Sequence, residues 1–213
     1  GSVCAFVGEP IVGATLAAVE PPDGYWQAIA DVCRHHGVLL IADEVMTGFG
    51  RTGAWFASEH WGLQPDLMAL AKGAASGYWP LGLAVASEAV HDTIGAGGFT
   101  HGLTYSHHVV GAAAGRAVLR VLRERHLVEA SATQGKRLQA GLEARLGGHR
   151  HVGDIRGLGL MVAVELVADR ATRAPFPRAL RVTERTVAAA RDRGLLLYSS
   201  TGCADGVDGA SHT

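Results

Sequence analysis

Lysine is nearly missing from this chain. Of the 19 basic side chains among 213 residues, 17 are arginine and two are lysine, Lys72 and Lys136. Any chemistry that needs a primary amine on a side chain therefore has two candidate positions. Cysteine is almost as scarce: Cys4, Cys33 and Cys203 are odd in number and widely spaced, which excludes a disulfide framework or a CxxC metal site. Formal net charge is only −1, so no general electrostatic argument favours nucleic acid or an anionic membrane as partner. No apolar run approaches the roughly 18 residues that a membrane span requires. The opening residues GSVCAFVGEP have no basic stretch ahead of an apolar core, and a cytoplasmic location is the default expectation. Histidine, by contrast, is plentiful, with 11 residues. His35 and His36, His107 and His108, and His149 and His151 lack a carboxylate or cysteine partner at ligand spacing, so no metal is expected.

With 48% hydrophobic residues, the chain can bury a sizeable core and could hold one large domain or one and a half. The stretch from residue 38 to 73 organises the rest. Val38 to Ala42 and Leu67 to Ala71 are short apolar runs, which suits strands buried on both faces of a parallel sheet. About one helix of chain separates them. Asp43 ends the first run and Lys72 ends the second, so adjacent parallel strands with a right-handed crossover would put both on one edge. That edge, the carboxyl ends of the strands, is where open α/β sheets bind ligands. A free lysine, with a pKa of about 10.4, is a poor nucleophile, but burial or a nearby cation lowers that value and permits Schiff-base formation with a carbonyl. Lys136 lies on the polar helical face of QGKRLQAGLEARL and reads as a solvated charge. A structural role for Lys72, snorkelling or salt-bridged, stays open on spacing alone.

Along the chain, Val3 to Val7 reads as a strand leading to Glu9, which Pro10 holds extended. Tyr25 to His36 is an amphipathic helix ending at Gly37. Leu81 to Ala86 is a further strand, giving four strands alternating with helices in a doubly wound, mainly parallel sheet. Gly48 to Gly53 satisfies the dinucleotide fingerprint G-x-G-x-x-G. Four residues separate Asp43 from the first glycine, and Asp66 precedes its apolar run, so a tight turn with Arg51 available for an anion or a subunit contact is the better reading. Residues 95 to 108, GAGGFTHGLTYSHH, form a glycine- and hydroxyl-rich loop before a helix from about Val110 to Arg125, a reasonable anion cradle. Helical periodicity resumes from Leu127 to Leu146. A glycine turn and an apolar strand follow from Val152 to Glu165, a helix ends at Arg193, and Gly194 to Ser199 begins a last strand.

Asp43-Glu44-Val45, Gly48-Phe49-Gly50-Arg51-Thr52-Gly53, Pro65-Asp66 and Ala71-Lys72-Gly73, in that order and spacing, resemble the core of the class III aminotransferases, pyridoxal-phosphate enzymes of fold type I. Glu9-Pro10-Ile11-Val12-Gly13, His101-Gly102-Leu103-Thr104-Tyr105 and Asp154 to Gly159 resemble further segments of that family. The resemblance implies an α/β fold type I transferase with a mainly parallel sheet, flanking helices and the start of a smaller α+β domain. It implies pyridoxal 5'-phosphate joined to Lys72 as a Schiff base, Asp43 paired with the pyridine nitrogen, Val45 against the ring face, Thr104 on the phosphate across a dimer interface, and Glu9 on the substrate side. The implied activity moves an amino group from an amino donor to a keto acid in a homodimer with shared active sites. The implied domains are 1–126 (part of a large cofactor-binding domain), 127–151 (a connecting helix) and 152–213 (part of a small domain).

Two departures stand out. His107-His108-Val109 replaces the family's glycine, histidine and proline, and Met46 stands where relatives acting on ornithine or GABA carry a glutamine. Relatives also carry an N-terminal phosphate-binding loop and a C-terminal carboxylate-binding arginine, whereas SSTGCADGVDGASHT after Tyr198 departs from family character. A fragment or truncated gene product is therefore expected. A non-catalytic fragment, or an aminomutase or decarboxylase on the same scaffold, remains the alternative.

Overall fold

The structure is a computed structural model that describes residues 2–201; Cys203 and the segment beyond Thr201 lie outside the described residues. The chain divides into two compact units, Gly1–Ile11 with Pro21–Thr133, and Val12–Glu20 with Gln134–Thr213.

The first unit contains a four-stranded sheet in the order β1 (Ala5–Gly8), β2 (Leu39–Asp43), β3 (Leu67–Leu70), β4 (Leu83–Ala86). β1 pairs parallel with β2 and β2 parallel with β3, whereas β4 is antiparallel to β3. The sheet is thus mainly parallel, as expected, with its fourth strand reversed. The link over residues 71–82 holds a three-residue 3-10 helix, Lys72–Ala74, and no crossover α-helix of the kind that usually joins parallel neighbours. The link between β2 and β3 is also not the expected helix. Residues 44–66 form a looped excursion whose one regular element is a five-residue 3-10 helix, Ala57–Trp61.

Helix α1 (Tyr25–His36) connects β1 to β2 and ends as expected at Gly37, whose left-handed backbone (φ 64°) lets its own N–H and that of Val38 close on Arg34 and Cys33 carbonyls. Its buried face, Trp26 and Cys33, packs with Leu40 of β2, and Phe6, Ile29, Val38, Trp61 and Leu63 surround this core. The Trp26 indole nitrogen donates to the Pro10 carbonyl at 3.1 Å, so the core's largest side chain has its polar atom satisfied. β2 alternates rather than being buried on both faces: Leu40 and Ala42 are buried, while Leu39 and Ile41 are not. Among the described residues one face of this strand is covered, by α1. Helices α2 (Glu88–Gly97) and α3 (Val109–Glu124) complete the unit, and α4 (Leu127–Leu146) runs past its boundary at Thr133.

In the second unit, β5 (Val152–Leu158) and β6 (Met161–Leu166) form an antiparallel hairpin, where one strand after a glycine turn was expected. Arg156 on β5 ties it to the Val12–Glu20 segment. Its guanidinium donates to the carbonyls of Ala17 (3.0 Å) and Leu16 (2.8 Å) and to the carboxylates of Asp154 and Glu165. Helix α5 (Val182–Arg191) follows. The expected strand after Gly194 does not form. Leu196 and Tyr198 are 83% and 80% exposed, and an apolar run with no pairing partner among the described residues has no ladder to join.

Candidate active site

The register of the parallel strands builds the site. Asp43, the last residue of β2, pairs with Ala69 of β3, and Lys72 lies three residues further along that neighbouring strand's path. Glu9 directly follows Gly8, whose partner is Ala42, the residue before Asp43. The carboxyl ends of β1, β2 and β3 thus bring Glu9, Asp43 and Lys72 to one edge of one sheet.

Asp43 is half-buried. One carboxylate oxygen accepts the Val45 amide at 3.1 Å, and the other has no partner among the described residues. Val45, itself half-buried, is thereby fixed by the acid two residues before it. Lys72 is exposed, not buried as the apolar sequence around it suggests. Its ammonium pairs with no other described residue, because the chain here leaves the sheet in a tight turn rather than continuing under cover. That turn is unusual. Ala71 has φ −158° and ψ −142°, and Lys72 has a left-handed backbone with φ 36°, a conformation that costs a non-glycine residue about 1–2 kcal/mol. A recess of about 330 Å3 lies beside Lys72, walled by Gly77, Trp79, Pro80 and Leu81. The Trp79 indole stacks on His108 at 4.9 Å.

Thr104 lies in an exposed turn of the loop between α2 and α3 and makes no hydrogen bond to Asp43, Lys72 or Glu9. The same loop accounts for its departing residues. His107 has φ 58°, the left-handed region that glycine favours, and His108 is the N-cap of α3, its ring nitrogen accepting the Val110 amide at 3.3 Å. A histidine in a conformation that glycine favours carries some local strain.

Gly48 to Gly53 form turns with no helix starting directly from them, which disfavours dinucleotide binding. Gly53 (φ 87°) lies against the start of α4, where an added Cβ would come within 2.8 Å of the Ala132 Cβ. The Ser131 hydroxyl donates to the Arg51 carbonyl at 3.0 Å, and Arg51 itself donates to the Met46 carbonyl.

Two carboxylates have structural roles that the local pattern hardly signals. Asp66 accepts the Leu40 amide at 2.8 Å and so locks the start of β3 to β2. Glu44 is fully buried and fully used. It accepts the Thr47 hydroxyl (2.5 Å) and the Ala57 amide (2.9 Å) on one oxygen, and the Ser58 amide (2.7 Å) on the other. Thr at the third position after Glu44 is the sole nearby hint; the amides come from 13 and 14 residues away. Among the described residues no group of three or more His, Cys, Asp or Glu could hold a metal, and no helix is long and apolar enough to cross a membrane.

A family model described as aminotransferase class-III matches residues 1–203. An uncharacterized aminotransferase of Sinorhizobium fredii is 46% identical over 200 residues, 92% of this chain and 43% of the relative. The crystal structure of a thermostable (S)-enantioselective omega-transaminase from Thermomicrobium roseum superposes with a TM-score of 0.87 at 43% identity, over 98% of this chain and 45% of that one. An amine transaminase from an uncultivated Pseudomonas species, solved in a PLP-bound form, gives a TM-score of 0.87 at 37% identity, over 98% of this chain and 46% of that one. The chain therefore spans less than half the length of these proteins.

Proposed function

The chain belongs to the class-III aminotransferases, and we propose that it carries the lysine and the carboxylate of a transamination site that moves an amino group from an amino donor to a keto acid. The observation that carries this reading is the strand register, which sets Asp43 and Lys72 at the same edge of neighbouring parallel strands. The donor set fits pyridoxal phosphate. Asp43 has one carboxylate oxygen engaged by Val45 and one available for a ring N–H, and Lys72 presents an unpaired amine. When bound, pyridoxal phosphate supplies an aldehyde that condenses with amines and a ring that accepts electrons from a breaking C–H bond.

In this reading Lys72 Nζ would hold the cofactor and would serve as the base and acid that moves the donor's α-proton. Asp43 would accept the ring nitrogen's hydrogen bond and would keep that nitrogen protonated. Val45 would pack on the ring face, the Thr104 hydroxyl would donate to the phosphate from a second subunit, and Glu9 would lie on the substrate side. The exposed loop that carries Thr104 is consistent with a homodimer in which a partner covers it. Residues 1–126 then belong to the large cofactor-binding domain, 127–151 to the connecting helix and 152–213 to a partial small domain, in a protein of the cytoplasm.

The test is chemical. The purified chain is mixed with pyridoxal phosphate and reduced with borohydride, and its peptides are mapped by mass. Label on Lys72 in large excess over Lys136 is the expected outcome; equal or scattered label on Lys136 and the amino terminus would sink the reading.

A further inference from the structure

The excursion between β2 and β3 returns to touch the turn that carries Lys72. Glu44, directly after Asp43, donates its backbone N–H to the Ala69 carbonyl on β3 (3.0 Å), and its own carbonyl accepts the Gly48 amide (2.9 Å). Its carboxylate, meanwhile, holds the far end of the excursion through the amides of Ala57 and Ser58, with Thr47 between. One residue therefore clasps the excursion where it leaves the sheet and where its 3-10 helix begins. At the tip nearest the sheet, Phe49 has a left-handed backbone (φ 60°), and its ring packs edge-on against Phe56 at 5.7 Å. This elbow rests on Gly73: a Cβ there would meet the Phe49 Cβ at 2.9 Å and the Gly48 carbonyl oxygen at 3.2 Å. Gly73 is the residue after Lys72, whose backbone stands at φ 36°.

We infer that Glu44 is a positioning residue for the reactive lysine: by clasping residues 44–58 it presses the Gly48–Phe49 elbow onto Gly73, and that contact holds Lys72 in its left-handed turn at the edge shared with Asp43. A strained backbone persists where its surroundings over-determine it, and this elbow packs on the turn beside the turn's own hydrogen bonds from Ala74 to Ala71 and from Ser76 to Lys72. The chemical value of Lys72 rests on the transamination reading above; the mechanical coupling does not.

Glu44→Gln separates the two. The amide has the carboxylate's shape, but its NH2 must face either the Ser58 amide or the Ala57 amide, placing donor against donor. Pyridoxal phosphate and borohydride supply the label, and Lys136 is the internal control. The expected result is a Lys72:Lys136 labelling ratio lowered about tenfold, of the order of one charged hydrogen bond lost, with Lys136 labelling unchanged. Amide hydrogen exchange should quicken in residues 71–76 as well as in 44–58. Quickening confined to 44–58, with the labelling ratio unchanged, would overturn the inference. If the parent chain itself shows no preference for Lys72, the transamination reading fails, and exchange at 71–76 still decides the coupling. Should Glu44→Gln not fold, Thr47→Val removes one of the three bonds and leaves the two backbone amides served. It should then produce the same pattern at about a threefold change, and a wild-type pattern in that variant counts against the inference.

Discussion

Two loops of the first unit bear on the proposed site, and they are built in opposite ways. Residues 44–58 close on themselves: Glu44 is fully buried with three hydrogen bonds, Thr47, Thr52 and Ser58 are buried, and the Phe49 and Phe56 rings meet. Residues 98–108 do not close: Phe99, Leu103 and Tyr105 are 68%, 68% and 83% exposed, and the internal ties of the segment are short-range, such as Ser106 to Leu103. Length does not separate them; the buried charge does. A carboxylate taken out of water must be met by donors from wherever the chain can supply them, so Glu44 forces residues far apart in sequence to converge. The second loop has no such residue, and Phe99 meets only a ring of its own loop, that of His101 two residues on.

The sharpest way to break this comparison is to remove the forcing residue. Glu44→Ala leaves two backbone amides and a hydroxyl buried without their acceptor, and a loss of about 3 kcal/mol in unfolding free energy is expected, read as a lower urea midpoint. Tyr105→Ala, in the exposed loop, should change the same free energy by less than about 0.5 kcal/mol. A Tyr105 effect as large as that of Glu44 would mean that the second loop is internally organised after all.

Glycine substitutions test the same contrast with a smaller effect. Gly53→Ala adds a methyl at φ 87° with the Ala132 Cβ only 2.8 Å from its place, and a loss of about 2 kcal/mol is expected from backbone strain and overlap. Gly102 has open space around it and no left-handed backbone. There, alanine should stabilise slightly, by about 0.5 kcal/mol, through reduced freedom of the unfolded chain. Thermal unfolding of the two variants reads both signs in one experiment.

What was legible in the sequence follows from the range of the forces involved. Helix α1 with its Gly37 stop, the four strands of the first unit and helix α4 come from local periodicity and caps, and those signals sit within a few residues of one another. Asp43 and Lys72 reach one edge because parallel pairing of adjacent apolar runs leaves little choice. The antiparallel fourth strand, the exposure of Lys72 and the absent strand at Leu195 to Tyr198 escaped the pattern, because each depends on what packs against the element rather than on its own residues. Glu44 escaped for the same reason, and so did Asp66: each is a charged side chain whose role lies with amides 13 to 26 positions away.

The second unit offers a carboxylate that contrasts with Glu44 in both partners and surroundings. Glu184 on α5 takes a hydrogen bond from Arg178 and lies near Arg181 as well, yet its side chain remains 29% exposed. The Arg178 bond, foremost, holds the Glu184 carboxyl below its ordinary value. A carboxyl lowered on folding contributes stability that is fully present above its unfolded value and is lost as pH falls through the folded one. Water screens this pair, so the contribution is small. Glu184→Gln should therefore leave the urea midpoint at pH 7 almost unchanged and should flatten only the acid limb of the stability curve, below the ordinary carboxylate range. Glu44→Gln should lower the midpoint across the whole range instead, because its defect is donor facing donor in a fully buried site. If the two variants produced the same pH profile, burial would not be what distinguishes the closed excursion from the rest of the molecule.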